Sequence, residues 1–208
     1  MISMSAAREY IAIVSGLPRS GTSMMMQMLD KAGIPVLTDN IRVADADNPK
    51  GYYEFEAVKR TRKDASWVKQ APGKVVKMVH LLLLDLPLNR EYRVVFMKRH
   101  LEEVVKSQNI MLDRHGKEWA EADREKVIKA FQAQMKQVDK WMAGHDCFKA
   151  LYVDYNEIMR DPEPVVRAIN AFLGGDLNTG AMMEVVDPSL YRNRAAGKAA
   201  GGKSETAS

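Results

Sequence analysis

The sequence predicts an α/β protein, a three-layer sandwich with a mainly parallel central sheet. Two observations predict it. Short apolar runs that fit buried strands alternate with helix-patterned segments along the chain, an order that builds parallel sheets covered on both faces. The first run, residues 10–14, ends in a glycine-bearing loop and passes straight into a helix, which is how a βαβ unit begins.

Taken in order, residues 10–14 form a buried strand. A Met- and Leu-rich helix runs from Thr22 to Lys31 and is stopped by Gly33 and Pro35. Residues 38–53 carry Asp, Asn, Pro and Gly and read as a polar loop or lid. Residues 55–68 fit a helix and 74–80 a second strand, whose end is blurred by the leucines at 81–84. A third strand spans 92–97, with a helix after it at 101–112. Residues 117–142 form a long charged helix. Its apolar positions Val127, Phe131, Met135, Val138 and Met142 make one stripe, suited to core or to a partner surface. The fourth strand is 148–153. Asp161 caps the following helix with Pro162 at its first position, and Gly174 and Gly175 end it. One domain over residues 1–194 is expected, then a disordered Ala/Gly/Lys/Ser tail over 195–208. There is no internal repeat.

Composition narrows the function classes. With 208 residues, 46% hydrophobic and 28% charged, the chain has the make-up of a soluble globular protein. A chain this long buries roughly 70% of its unfolded surface, enough for a core without staples. The lone Cys147 has no disulfide partner and reads as a small buried hydrophobe. No segment reaches the ~18 uninterrupted apolar residues of a membrane span. The first residues lack the basic-then-apolar order of a signal peptide, so the cytoplasm is the expected compartment. The net charge of +4 is mild, and no nucleic-acid-binding motif appears, so a nucleic-acid partner is not expected. The oligomeric state is left open.

Chemistry concentrates in residues 16–23. Gly16, four residues, then Gly21 followed by Thr22 and Ser23 has the spacing of a nucleotide phosphate loop (P-loop). Glycines let successive N–H groups converge on an anion, and the helix starting near Thr22 adds its positive end. Thr22 stands where that motif normally has the lysine that reaches the β- and γ-phosphates. A donor with one 5′-phosphate bearing a sulfate needs fewer loop charges, and Arg19 can supply one at the bridging oxygen. Two rivals stay open. The chain can be a P-loop nucleotide kinase or NTPase, or a degenerate P-loop scaffold that binds a partner through the 117–142 helix.

A second anion grip lies at another strand-to-helix edge. Arg99 closes the third strand, and Ser107 sits about two helical turns further on, on a face that can point back over the strand end. A guanidinium fork and a hydroxyl converging there suit a phosphate, and ligands of open parallel sheets gather at the carboxyl ends of strands.

These residues together resemble the PAPS-dependent sulfotransferases (PAPS, 3′-phosphoadenosine 5′-phosphosulfate). Pro18, Arg19, Ser20, Gly21, Thr22 and Ser23 are similar to that family's 5′-phosphosulfate loop. Residues 94–99 through Ser107 resemble its 3′-phosphate motif. Residues 153–158, Asp161–Pro162 and Phe172–Leu173–Gly174 are similar to its tyrosine-bearing strand end, Asp-Pro and Phe-Leu-Gly segments. Order and spacing agree over roughly residues 10–175. The resemblance implies that the loop holds the 5′-phosphosulfate, that Arg99 and Ser107 hold the 3′-phosphate, and that Tyr155 lies near the adenine. Residues 48–54 resemble a segment of small bacterial members. There are departures. Many members carry Lys where this chain has Arg19, and His80 falls one residue later than the cytosolic branch's Lys-Thr-His. Only Arg192, Arg194 and Lys198 stand where that branch has a C-terminal Arg-Lys-Gly grip.

Sulfuryl transfer runs in line through a loose transition state, so positioning and electrostatics carry it. Arg19 is assigned to the leaving phosphate and the sulfate oxygens. Lys77 is either a second charge at that centre or a strand-edge lysine covering apolar surface. For the base, Glu54 leads, with His80 as rival and Glu56 behind. No set of residues has metal-ligand spacing, so no metal is expected. Tyr52, Tyr53, Phe55 and Trp67 serve equally as acceptor platform or as core. The acceptor is a small molecule or carbohydrate of unassigned identity.

Overall fold

A computed structural model describes residues 8–39, 41, 51–114, 116 and 124–187. The 42–50 part of the expected lid, residues 117–123 of the long helix, Arg192, Arg194, Lys198 and the 195–208 tail lie outside them.

Four strands form one sheet: β1 (Ile11–Gly16), β2 (Val75–Val79), β3 (Tyr92–Lys98) and β4 (Phe148–Asp154). Their order is β2-β1-β3-β4, and every pairing is parallel. Helices α1 (Thr22–Lys31), α2 (Leu101–Arg114), α3 (Arg124–Ala143), α4 (Tyr155–Arg160), α5 (Pro162–Phe172) and α6 (Thr179–Glu184) complete the frame.

Side-chain alternation along the strands makes two cores. Ala12, Val14, Val75, Val95 and Val153 face one way and pack with α1, α4, α5 and α6. Ile11, Ile13, Val76, Met78, Val94 and Phe96 face the other way, toward Val138 and Met142 of α3 and the segment at Val58, Trp67 and Val68. This is the three-layer sandwich the alternation of elements predicts. The α3 stripe is graded, with Val138 and Met142 buried and Val127, Phe131 and Met135 half-buried.

Several expectations change. The 55–68 helix is two short 3₁₀ turns, Glu56–Arg60 and Ser66–Gln70. Side chains interrupt it. The Thr61 hydroxyl donates to the Val58 carbonyl and accepts from Trp67 Nε1, while Asp64 accepts the Ser66 N–H. Trp67 is thereby core, and so is buried Tyr52. Asp161 occupies the N-cap of α5 without a side-chain cap bond, although Pro162 is at the first turn as expected. Asp154 is the working cap, accepting from the N–H groups of Asn156 and Glu157 to start α4 inside what reads as a strand end. Asn178 does the same for α6, which the pattern did not announce.

Register positions the site. Gly16 stands opposite Val79 on one side and Met97 on the other, and Met97 opposite Val153. The four strands thus end at one level, and residues 17–23, His80, Arg99 and Tyr155 emerge together along the carboxyl edge.

Candidate functional site

The loop between β1 and α1 is shaped by two glycines whose α-carbons have no room for a side chain. A Cβ on Gly16 would sit 2.6 Å from the Met97 carbonyl oxygen and 2.6 Å from Ser20 Oγ. One on Gly21 (φ 96°) would overlap the Tyr155 ring. The Ser20 hydroxyl and N–H both donate to the Leu17 carbonyl, at 2.7 and 3.2 Å, so buried Ser20 closes the turn. Arg19 sits at φ 71°, in the left-handed region that non-glycine residues rarely adopt. Beyond Gly21, α1 begins with the N–H groups of its first turn and a positive helix end at the loop. Gly16 to Ser23 is therefore a tight turn that leads into the positive end of α1.

Arg99 and Ser107 both reach this loop, at the same residue. Arg19 Nε donates to Ser107 Oγ at 3.0 Å, and Arg99 Nη1 donates to the Arg19 carbonyl at 3.2 Å. Gln108, next along α2, donates to the Pro18 carbonyl at 3.3 Å. The guanidinium of Arg99 lies over the Tyr155 ring, 4.5 Å from its centroid. Tyr155 is buried between that guanidinium and Gly21. Five of the expected binding residues, Arg19, Gly21, Arg99, Ser107 and Tyr155, thus form one contiguous cluster.

Two members of that cluster escape a reading of the sequence. Glu103, in the first turn of α2, is buried and accepts Arg99 Nε at 2.9 Å. Asn156 of α4 donates Nδ2 to both oxygens of the same carboxylate, at 3.1 and 3.2 Å. The only sequence signal was an acidic residue four positions after Arg99, a spacing common on solvated helices.

Lys77 reaches the other end of the loop. Its neighbours in β2 alternate, and Lys77 shares the α1 side with Val75. Its ammonium donates to Ser23 Oγ at 3.2 Å and to the Tyr52 carbonyl. Glu54 lies 4.0 Å from that ammonium and 3.0 Å from Lys59, while Glu56 pairs with Lys59. The Glu54 backbone is pinned as well. Its carbonyl accepts from Thr38 Oγ1 at 2.8 Å and from the Asp39 N–H at 3.3 Å. The Asp39 carboxylate accepts the Glu56 N–H at 2.6 Å, and that bond holds its pKa below the ordinary aspartate value. Tyr53, at φ 53°, bonds Asp30 through its hydroxyl, and burial followed by that bond pushes its pKa up to about 12.

His80 goes elsewhere. It is buried on the α3 side of the sheet, where Nε2 lies 3.0 Å from Gln134 Oε1. Burial lowers its pKa, against the hydrogen bond to Gln134 that raises it. Glu54 and Lys77 therefore share one side of the sheet, and His80 occupies the other. Among the described residues there is no group of three or more His, Cys, Asp or Glu arranged to hold a metal, and no helix long and apolar enough to cross a membrane.

Comparison with known proteins adds a family and a fold. A family model described as "Sulfotransferase family" matches residues 36–179, more than half of the chain. That span holds Glu54, Lys77, Arg99, Ser107 and Tyr155 but starts after the loop at 16–23. Among solved structures, the chain is similar to the sulfotransferase domain of the Synechococcus PCC 7002 olefin synthase. The two share 15% identity and a TM-score of 0.53, covering 93% of this chain and 86% of that one. It is also similar to the sulfotransferase domain of the curacin biosynthetic pathway, at 16% identity and a TM-score of 0.47, covering 95% and 82%. At such identities the first likeness supports the P-loop-type fold alone. No curated protein matches.

Proposed function

The chain belongs to the sulfotransferase family, and from that premise we propose that it moves a sulfuryl group from PAPS to a hydroxyl or amine of a small-molecule or carbohydrate acceptor. One observation carries the donor assignment: Arg99 and Ser107, from a second strand-to-helix edge, both meet Arg19 of the phosphate loop. Two anion grips that share a residue suit a nucleotide phosphorylated at both ends better than one carrying a single phosphate chain. The fit is supported by Gly16 and Gly21, where side chains would fill the turn. It is supported too by Thr22 in place of the lysine that ATP chemistry uses. The proposed compartment is the cytoplasm.

When bound, PAPS supplies the sulfuryl group on a phosphosulfate anhydride, and transfer resembles phosphoryl transfer through a loose transition state. In this reading residues 18–23 and the start of α1 hold the 5′ end, Arg99 and Ser107 hold the 3′-phosphate, and Tyr155 lies near the adenine. Arg19 stabilises charge developing on the leaving oxygen, with Lys77 adding a second cation from β2. Glu54, beside Lys77, accepts the acceptor's proton at its carboxylate.

Calorimetry with 3′-phosphoadenosine 5′-phosphate, followed by a labelled-donor panel of phenols, sugars, lipids and peptides, tests this. Saturable binding and transfer to one class are expected. No binding at millimolar nucleotide overturns the donor assignment, and magnesium-dependent ATP turnover would move the chain to the kinase or NTPase class. Donor binding without transfer to any acceptor would leave a binding scaffold.

A further inference from the structure

We propose that Glu103 and Asn156 act as a pair of positioning residues that aim Arg99 at the 3′-phosphate. The inference rests on the donor reading above. It starts from a carboxylate in an unusual place. Glu103 is buried, its side chain about 1% exposed, beside a group assigned to bind an anion. A buried carboxylate is costly unless paired, and a negative charge near a phosphate site opposes the ligand. Something must offset both costs.

The geometry points to what Glu103 does. Arg99 is held at Nε by Glu103, at Nη1 by the Arg19 carbonyl, and on its face by the Tyr155 ring. Three contacts from different elements fix the plane of a guanidinium, and the plane sets whether its fork meets a phosphate squarely. The carboxylate is oriented in turn by Asn156, whose Nδ2 bonds both of its oxygens. Asn156 sits where it does because Asp154 caps α4, accepting the Asn156 N–H at 2.7 Å. The chain of support therefore runs from the end of β4 through Asn156 and Glu103 to Arg99. Preorganising a contact residue in this way lowers the cost of ordering it when the ligand arrives.

The test compares two probes by calorimetry, 3′-phosphoadenosine 5′-phosphate and adenosine 5′-phosphate, on the full chain. The preference for the first over the second reports the 3′-phosphate contact alone. Wild type prefers the 3′-phosphorylated probe. Glu103→Gln and Asn156→Ala each lower that preference about tenfold, and the double variant falls no further than the worse single, because the two act as one unit. Melting temperatures report a merely structural role, which would weaken both probes equally and leave the preference unchanged. If Glu103→Gln does not fold, Asn156→Ala, which severs the support from the α4 side, decides the matter. A wild type with no preference overturns the donor reading and this inference with it. A wild-type preference that survives in the variants overturns the inference alone. Tighter binding of the 3′-phosphorylated probe to Glu103→Gln would make the carboxylate a charge screen and would also overturn it.

Discussion

Gly21 lies so close to Tyr155 that a methyl on its α-carbon would overlap Cδ2 of the ring and sit 3.0 Å from Cε2. The loop and the start of α4 are thus fitted to each other, and the fit needs hydrogen in place of a side chain. Gly21→Ala adds a clash to an unfavourable φ of 96°. Overpacking costs about 1–3 kcal/mol and the left-handed backbone about 1 more. A loss of about 2–4 kcal/mol in urea unfolding is expected. Adding Tyr155→Leu should recover the packing part and leave the backbone part. A melting temperature unmoved by Gly21→Ala would contradict the contact.

Arg19 holds a left-handed backbone in the loop where the proposed function sets its side chain at the leaving phosphate. Arg19→Gly relieves about 1 kcal/mol of left-handed strain and removes the hydrogen bond to Ser107, of similar worth. Stability should therefore stay within about 1 kcal/mol of wild type, while transfer falls at least ~100-fold. A variant that unfolds, or one that keeps its rate, would show that the strain is not held for catalysis.

The two candidate bases part company across the sheet. Glu54→Gln is expected to lower kcat about 100-fold or more with nucleotide affinity little changed. His80→Gln, on the α3 side, should leave kcat within a few-fold. The reverse pattern in labelled-donor assays would transfer the proton to His80.

His80 predicts instead a pH dependence of stability. Burial lowers its folded pKa, so between that value and the ordinary ~6.5 the unfolded chain binds more protons. Its contribution is full above about pH 6.5 and is lost as pH falls below it. Unfolding at pH 7.5, 6.0 and 5.0 should show a decline that His80→Gln flattens. Parallel declines in both proteins would place the titration elsewhere.

What could be read from residue order was whatever local pattern dictates. An apolar run before Gly16, Gly21 five residues on, and Arg99 two turns before Ser107 are local patterns, and parallel register then brings them to one edge. Glu103 and Asn156 were hidden because their roles come from tertiary contact, and their residue types are ordinary on helices. The 55–68 segment misled for a related reason: Thr61 and Asp64 offer the backbone side-chain partners that compete with a helix.

The bonds that tie Thr38 and Asp39 to Glu54 and Glu56 have a consequence for how this chain can vary. They fasten the two ends of the intervening stretch to each other, so closing that stretch is already accounted for below it. Lengthening a closed stretch costs little, about 0.6 kcal/mol per doubling. A change in the number of residues between Asp39 and Glu54 would therefore cost the fold little while these bonds hold Glu54 beside Lys77.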